Sequence, residues 1–247
     1  VWSAAFVGGR ALARPDSSPL RLQGLERAAE IAPWEPRWSA ELGRTRLIRS
    51  YAAATPTEAW LHLGGARGAY ERAVRAVPEN PDYRSYLARV LAEQASYPGR
   101  TGGVSPDEAA AALSAAMAAD PHGALTLVLV TQGYLRLGFL DRAHHAAHRA
   151  AWIYPDFAVP MLDVGSIALE EGRYEDAADT LYQSLGRSFR DAPWMEATAR
   201  GHLAYAYLQL GRYPYARDEA IRALLLDPRL EVARRTRDEA EQALATP

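Results

Sequence analysis

A short phrase that recurs about every 34 residues constrains this chain more than any other feature of its sequence. The phrase is Tyr-x-x-Leu-Gly-x-x-x-x-Ala, with a further Ala seven residues later and a Pro five residues after that. A fixed period of this length indicates stacked structural repeats. The clearest copy consists of Tyr134, Leu137, Gly138, Ala143, Ala150 and Pro155.

Two further copies of the phrase follow. If every repeat is a pair of helices, each of its recurring residue types has a structural reason. Ala recurs where two helices would cross, because a larger side chain would push the backbones apart. Gly falls where a left-handed residue would end the first helix, and Pro follows the second helix and stops it. The second copy contains Gly165, Gly172, Tyr174 and Ala177, and the third contains Leu203, Ala204, Tyr207, Gly211, Ala216, Ala223 and Pro228.

The repeats predict an all-α fold, a right-handed α-solenoid of about six helix pairs plus a C-terminal capping helix. We expect it to occupy residues 1–247 as a single domain, with an inserted loop at 97–106 and the capping helix and tail at 231–247. Ser105, Pro106 and Glu108 predict a capped helix start directly after that loop.

Composition excludes several classes of function. The chain has no Cys, which rules out disulfides, thiol nucleophiles and Cys-ligated zinc. Its net charge is −2, and its 28 basic residues, all Arg, are interspersed with acids, so nucleic acid is not an expected partner. A GC-rich coding genome explains the absence of Lys. The sequence contains no run of 18 apolar residues, so no membrane span is predicted within the chain.

Residues 1–14 open on the apolar segment Val1–Val7 and lack an initiator Met. Two interpretations remain open. The segment is either the remnant of a membrane or signal segment, or the first helix of the solenoid with its apolar face turned inward.

No catalytic residue and no cofactor is predicted, because the phosphate-binding, dinucleotide-binding and zinc-protease motifs are missing. His144, His145 and His148 form one cluster, and the first and last of these lie one helical turn apart. No third ligand is evident nearby, so we interpret the cluster as exposed helix surface and predict no metal site.

The concave groove is the predicted binding surface, since the first helix of each pair would line it. Its N-terminal half would carry Arg, and its C-terminal half would be mostly apolar with Tyr205 as an anchor. Such a groove suits a protein or peptide segment with an apolar face and an acidic end. The alternative is that its leucines are buried between repeats. The predicted groove residues are Arg44, Arg89, Gln132, Leu135, Arg136, Leu162, Ser166, Leu169, Tyr205 and Leu208.

The repeat resembles the tetratricopeptide repeat (TPR) family across about residues 20–245, with the greatest specificity over 124–230. A narrower resemblance lies in Ile31-Ala-Pro33-Trp34-Glu-Pro36-Arg-Trp38, which is similar to the repeat region after the last membrane helix of bacterial O-antigen ligase or polymerase-like membrane proteins. That second resemblance implies a membrane-tethered domain in the periplasm or cell envelope. Its partner would then be the membrane domain of the same chain. A cytoplasmic location stays open.

Three functions follow as hypotheses. The first is a non-catalytic protein–protein interaction scaffold, expected to be the extracytoplasmic domain of a bacterial membrane protein that handles envelope polysaccharide. The alternative is a free-standing subunit with a structural role in a large membrane-associated assembly. A third, glycan binding, needs exposed aromatic side chains, for which Trp34, Trp38 and Trp60 are the candidates. The sequence leaves the oligomeric state open.

Overall fold

A computed structural model describes residues 2–97, 103–189 and 193–245. Within these ranges the chain forms thirteen α-helices and no β-strand, so the predicted all-α class is confirmed. The helices are α1 (Trp2–Leu12), α2 (Pro19–Ile31), α3 (Pro36–Tyr51), α4 (Pro56–Ala76), α5 (Pro81–Ala95), α6 (Pro106–Ala119), α7 (Ala124–Leu137), α8 (Leu140–Ile153), α9 (Ala158–Glu170), α10 (Tyr174–Leu185), α11 (Pro193–Gln209), α12 (Tyr213–Leu226) and α13 (Glu231–Ala245).

The helices group into two compact units, Val1–Phe139 and Leu140–Pro247. In the first unit α1 packs on α2, α3 on α4, and α5 on both α6 and α7. In the second unit α9 packs on α10 and α11 on α12, and α13 lies against both α11 and α12. Each helix therefore packs mainly on its neighbours in sequence, as expected of stacked helix pairs.

Helices of the first unit begin at proline. Five successive helices, α2 to α6, have Pro as their first residue, where its missing N–H is not needed and its fixed φ favours the helix. Ser105 precedes α6 and completes a capping box with Glu108, as the sequence predicted. Of the predicted loop at 97–106, residues 98–102 lie outside the described ranges.

Left-handed glycines follow the first helices of the clear repeats. Gly138, Gly172 and Gly211 have φ between +69° and +76°, a conformation that costs a residue with a Cβ atom about 1–2 kcal/mol. These are the three glycines at which the sequence predicted helix ends.

The core of both units consists largely of alanine. Ala143, Ala177, Ala216 and Ala223, which recur in phase in the sequence, are all fully buried. At the start of the chain, Ala4 and Ala11 of α1 pack with Leu25 of α2 and Trp38 of α3. Residues 2–12 therefore form a packed helix of the first unit. None of the helices in the described ranges has the length and apolarity needed to cross a bilayer.

Candidate functional site

In the first unit, the three arginines predicted to line the groove already have acidic partners. Arg44 lies 3.3 Å from carboxylate oxygens of both Asp16 and Glu41. Arg89 and Arg136 both bind Glu93. Because the charge of each arginine is balanced by an acid of the same unit, these arginines attract an acidic ligand much less strongly than unpaired arginines would.

Glu93 is the centre of a buried polar cluster, which we call the Glu93 cluster. Glu93 is only 3% exposed. Its carboxylate forms ion pairs with Arg89 Nη2 at 2.6 Å and Arg136 Nε at 2.9 Å, and it accepts from the Tyr51 hydroxyl at 2.9 Å. The cluster ties together α3, α5 and α7. A cavity of about 360 Å³ opens beside it, lined in part by Tyr51, Tyr97 and Arg136.

The two remaining predicted groove residues of this unit, Gln132 and Leu135, lie half-buried on α7. The larger cavity of the first unit lies elsewhere, between α2, α3 and α4, with a volume of about 640 Å³. We call it the glycine groove, because Gly64, Gly65 and Gly68 form its α4 wall. A Cβ atom on Gly64 would meet no atom within 4 Å, so close helix packing does not explain that glycine.

In the second unit, two of the predicted groove leucines belong to the core. Leu162 is 6% exposed and Leu208 is 9% exposed, and Leu169 packs against the same buried cluster as Leu162. The expectation that Leu162 and Leu208 form an apolar binding surface is therefore corrected. Leu162 packs in a cluster with Ala177, Leu181 and Ala199, and Leu208 packs with Ala216 and Ala240, because these helix neighbours cover it.

Ser166 and Tyr205, also predicted, do lie on a common surface, which we call the Tyr205 face. It consists of Ser166 on α9, His202 and Tyr205 on α11, and Tyr174 at the start of α10. His202 and Tyr205 are three residues apart and thus share one face of α11. The rings of Tyr174 and Tyr205 meet edge to face with centroids 6.4 Å apart.

His202 gives this face a neutral polar group. Its Nδ1 lies 2.9 Å from Ser166 Oγ, and that hydroxyl donates to the Leu162 carbonyl at 2.8 Å. Since the single hydroxyl proton is used there, Nδ1 carries the imidazole proton and donates to Ser166. Burial lowers the pKa of His202 to about 4, so the ring is uncharged at neutral pH and its Nε2 is an acceptor.

The sequence did not predict His202 or Tyr174 as site residues. It also missed a second aromatic surface of this unit, formed by Tyr182, Tyr207 and Tyr215. The rings of Tyr207 and Tyr215 are 5.7 Å apart, and Tyr182 and Tyr215 are largely exposed. These residues come from three helices, so no local spacing links them.

The three tryptophans proposed for glycan binding do not form a joint surface. Trp38 is 5% exposed and packs in the core, where a Cβ atom on Gly8 would clash with its ring. Trp60 is half-buried and contacts Tyr97, with ring centroids 5.6 Å apart and ring planes tilted by 53°. Trp34 is exposed beside a cavity of about 220 Å³. Two of the three therefore act in packing.

The histidine cluster lies on the surface of α8. The rings of His144 and His148 are 4.0 Å apart, centroid to centroid. Among the described residues, no group of three or more His, Cys, Asp or Glu side chains is arranged to hold a metal ion.

Comparison with known proteins establishes the fold. A scan against protein-family models found no match, and a search of the curated proteins found none. Among solved structures, TTC0263, a thermophilic TPR protein of Thermus thermophilus, aligns over 85% of this chain and 98% of its own at a TM-score of 0.61 and 21% identity. Yeast Tom70 aligns over 98% of this chain and 47% of its own, with a TM-score of 0.67 and 15% identity.

The Cut9–Hcn1 tetramer of the APC/C also aligns, over 95% of this chain and 47% of its own, with a TM-score of 0.62 and 14% identity. The chain therefore spans about half the length of these last two proteins. At such identities the likeness shows the fold alone. The chain has the all-α solenoid fold of TPR proteins, which confirms the fold that the repeat phrase predicted.

Proposed function

We propose that this chain is a non-catalytic scaffold that binds an uncharged segment of a protein partner on the Tyr205 face. The observation that carries the proposal is the pair of Tyr174 and Tyr205, whose rings touch and whose hydroxyls have no hydrogen-bond partner among the described residues. Tyrosine is enriched at binding hot spots because it combines a large apolar ring with a polar tip.

Charge supports an uncharged ligand. The three predicted groove arginines of the first unit are paired with Asp16, Glu41 and Glu93, whereas the four residues of the Tyr205 face include no carboxylate or guanidinium and the His202 ring is uncharged. An acceptor at His202 Nε2 and two phenols suit backbone amides and small polar side chains better than carboxylates. The proposed ligand is therefore an uncharged segment, in place of the segment with an acidic end that the sequence favoured.

The helix framework supports binding without rearrangement. Packing of α9, α10, α11 and α12 fixes the backbone of all four residues of the face, so a flexible ligand loses entropy while the scaffold loses little. No catalytic step is included in the proposal, because the sequence lacks the phosphate-binding, dinucleotide-binding and zinc-protease motifs.

The test is selection of peptides from a random displayed library against the full chain, followed by fluorescence anisotropy with the best binder. Tyr205→Ala is expected to weaken binding about 30-fold, equivalent to about 2 kcal/mol. Tyr213→Ala is the matched control, since Tyr213 is exposed on α12 outside the face, and binding should stay within about twofold. Equal losses in both variants, with helicity intact, would exclude the Tyr205 face as the binding surface.

We further propose that the scaffold works on the outer side of a bacterial membrane, beside an envelope-polysaccharide enzyme. The support is the resemblance of residues 31–38 to the repeat region of O-antigen ligase-like proteins. Protease treatment of cells with a permeabilised outer membrane and an intact inner membrane tests the location. Cleavage of the chain under these conditions agrees with it, whereas protection until the inner membrane is opened contradicts it.

The alternative, a structural subunit of a large assembly, also has an observation in its favour. The second helices of the later repeats expose large apolar side chains, namely Trp152 on α8, Tyr182 on α10 and Leu225 on α12. Exposed apolar area of this kind is typical of surfaces that other chains cover. Native-gel migration of the endogenous protein distinguishes the two, because a constitutive subunit never migrates at the mass of the free chain.

A further inference from the structure

We propose that His144 and His148 form half of a zinc site, which a second copy of this chain completes with the same two residues. The two imidazoles lie one turn apart on α8 with ring centroids 4.0 Å apart. This is the i, i+4 spacing at which two histidines on one helix face bind a single zinc ion.

The number of ligands points to a second copy. Zinc is almost always four-coordinate, and two imidazoles leave two positions open. The described part of the chain brings no third His, Cys, Asp or Glu to this pair. A second molecule related by a two-fold axis would present an identical pair, and four imidazoles would then complete the tetrahedron.

The surroundings of the pair are compatible with a bound cation. Neither imidazole donates to or accepts from another side chain in the described ranges, so each retains a nitrogen for a metal. The nearby cation, Arg173, is bound to Glu171 and to Asp176, the latter at 2.6 Å. Its charge is therefore neutralised locally.

An apolar side chain lies beside the pair on the same face. Trp152 follows His148 by one helical turn and is 83% exposed, the largest exposed fraction among the large hydrophobic residues described. A two-fold contact through α8 would cover this indole in both copies. Two histidines alone would bind zinc weakly. Burial of apolar area beside the metal would add to the free energy of association of the two copies.

Sedimentation of the full chain with zinc chloride, and then with excess EDTA, tests the proposal. We expect a zinc-dependent dimer that returns to monomer with EDTA, and calorimetry should give one zinc ion per two chains. A stoichiometry of one zinc per monomer without dimerisation would overturn the proposal, and so would a dimer that persists in EDTA.

Three single substitutions assign the site. His144→Ala and His148→Ala should each weaken zinc binding at least about tenfold and abolish the zinc-dependent dimer. His145→Ala is the matched control, because His145 is an exposed neighbour on a different face of α8, and it should leave both measurements unchanged. Zinc-dependent dimers in the His144→Ala/His148→Ala double variant would place the metal elsewhere and refute the assignment. Far-UV circular dichroism checks that every variant keeps its helices.

Discussion

The two units of this chain satisfy their buried polar groups in different ways. The first unit buries charge: Arg21 is 5% exposed and donates to the carbonyls of Leu12 and Arg14 while it pairs with Asp16, and Glu93 holds two arginines. The second unit buries the carboxylate of Asp163, and it connects α9 and α11 through a neutral pair, Ser166 and His202. Buried ions depend on their partners far more strongly than neutral groups do. The first unit should therefore be the more sensitive to loss of one polar side chain.

The chain uses two devices to begin and end its helices. Pro is the first residue of α2 to α6 and of α11, while α7, α9 and α11 are followed by left-handed Gly138, Gly172 and Gly211. Both devices make short turns between helices. Proline acts through a fixed φ and tolerates substitution, whereas the left-handed position requires a residue without Cβ.

Glu93→Gln should give the largest loss of stability among these variants. A small loss would contradict the greater sensitivity of the first unit. The amide cannot balance Arg89 and Arg136, so we expect a loss of about 3–5 kcal/mol in the free energy of unfolding. Urea unfolding, with hydrogen exchange of α5 as a local probe, measures it. Glu79→Gln is the control, since Glu79 is almost fully exposed in its pair with Arg84 and should cost less than about 0.5 kcal/mol.

The neutral pair of the second unit predicts a dependence on pH. The folded-state pKa of His202 lies at about 4, below its unfolded value of about 6.5, so the unfolded chain binds the extra proton. Stability is complete above pH 6.5 and falls by up to about 3 kcal/mol as the pH drops towards 4. Thermal melts of the wild type and His202→Gln measure this. The variant should lose stability less steeply between pH 6.5 and 5, and parallel curves would contradict the burial of a neutral imidazole.

Gly211→Ala sharpens the contrast between the turns. With φ at +69°, alanine should cost about 1–2 kcal/mol. Gly186→Ala provides the control, because Gly186 ends α10 with φ at −81° and a Cβ atom there meets only ordinary contacts. The denaturant midpoint of Gly211→Ala should therefore be lower than that of Gly186→Ala. Equal midpoints would mean that the left-handed turn does not require glycine at position 211.

Gly64→Ala should give the smallest change in the free energy of unfolding, and this change is a gain in stability. Gly64 lies inside α4 with open space around its Cα, so alanine should stabilise the chain by about 0.5–1 kcal/mol through helix propensity alone. A thermal melt measures the change. Destabilisation would show that the glycine groove needs its bare backbone for packing.

The sequence predicted the second unit better than the first. Gly172, Gly211 and the in-phase alanines report a backbone conformation and a helix crossing directly, so their roles could be predicted residue by residue. Leu162 and Leu208 were assigned to the groove because the repeat phase places them near it, but phase alone does not separate a core position from an adjacent surface one. The pair of Arg89 and Glu93 is an i,i+4 spacing within α5 that the sequence shows, whereas the pair of Arg136 and Glu93 depends on α5 and α7 meeting, which no local spacing reveals.

The helix α13 has a consequence for how far the stacking of helix pairs can continue. Its inner face buries Ala233, Thr236 and Ala240 against α11 and α12, while its outer face carries exposed charges such as Arg235 and Glu239. Every layer of a repeat stack resembles the layer before it, so an uncovered last layer is a template for the first layer of another molecule. Such head-to-tail contacts do not close and lead to open filaments. By offering charge where a further layer would need alanine, α13 disfavours head-to-tail stacking of another molecule on this face.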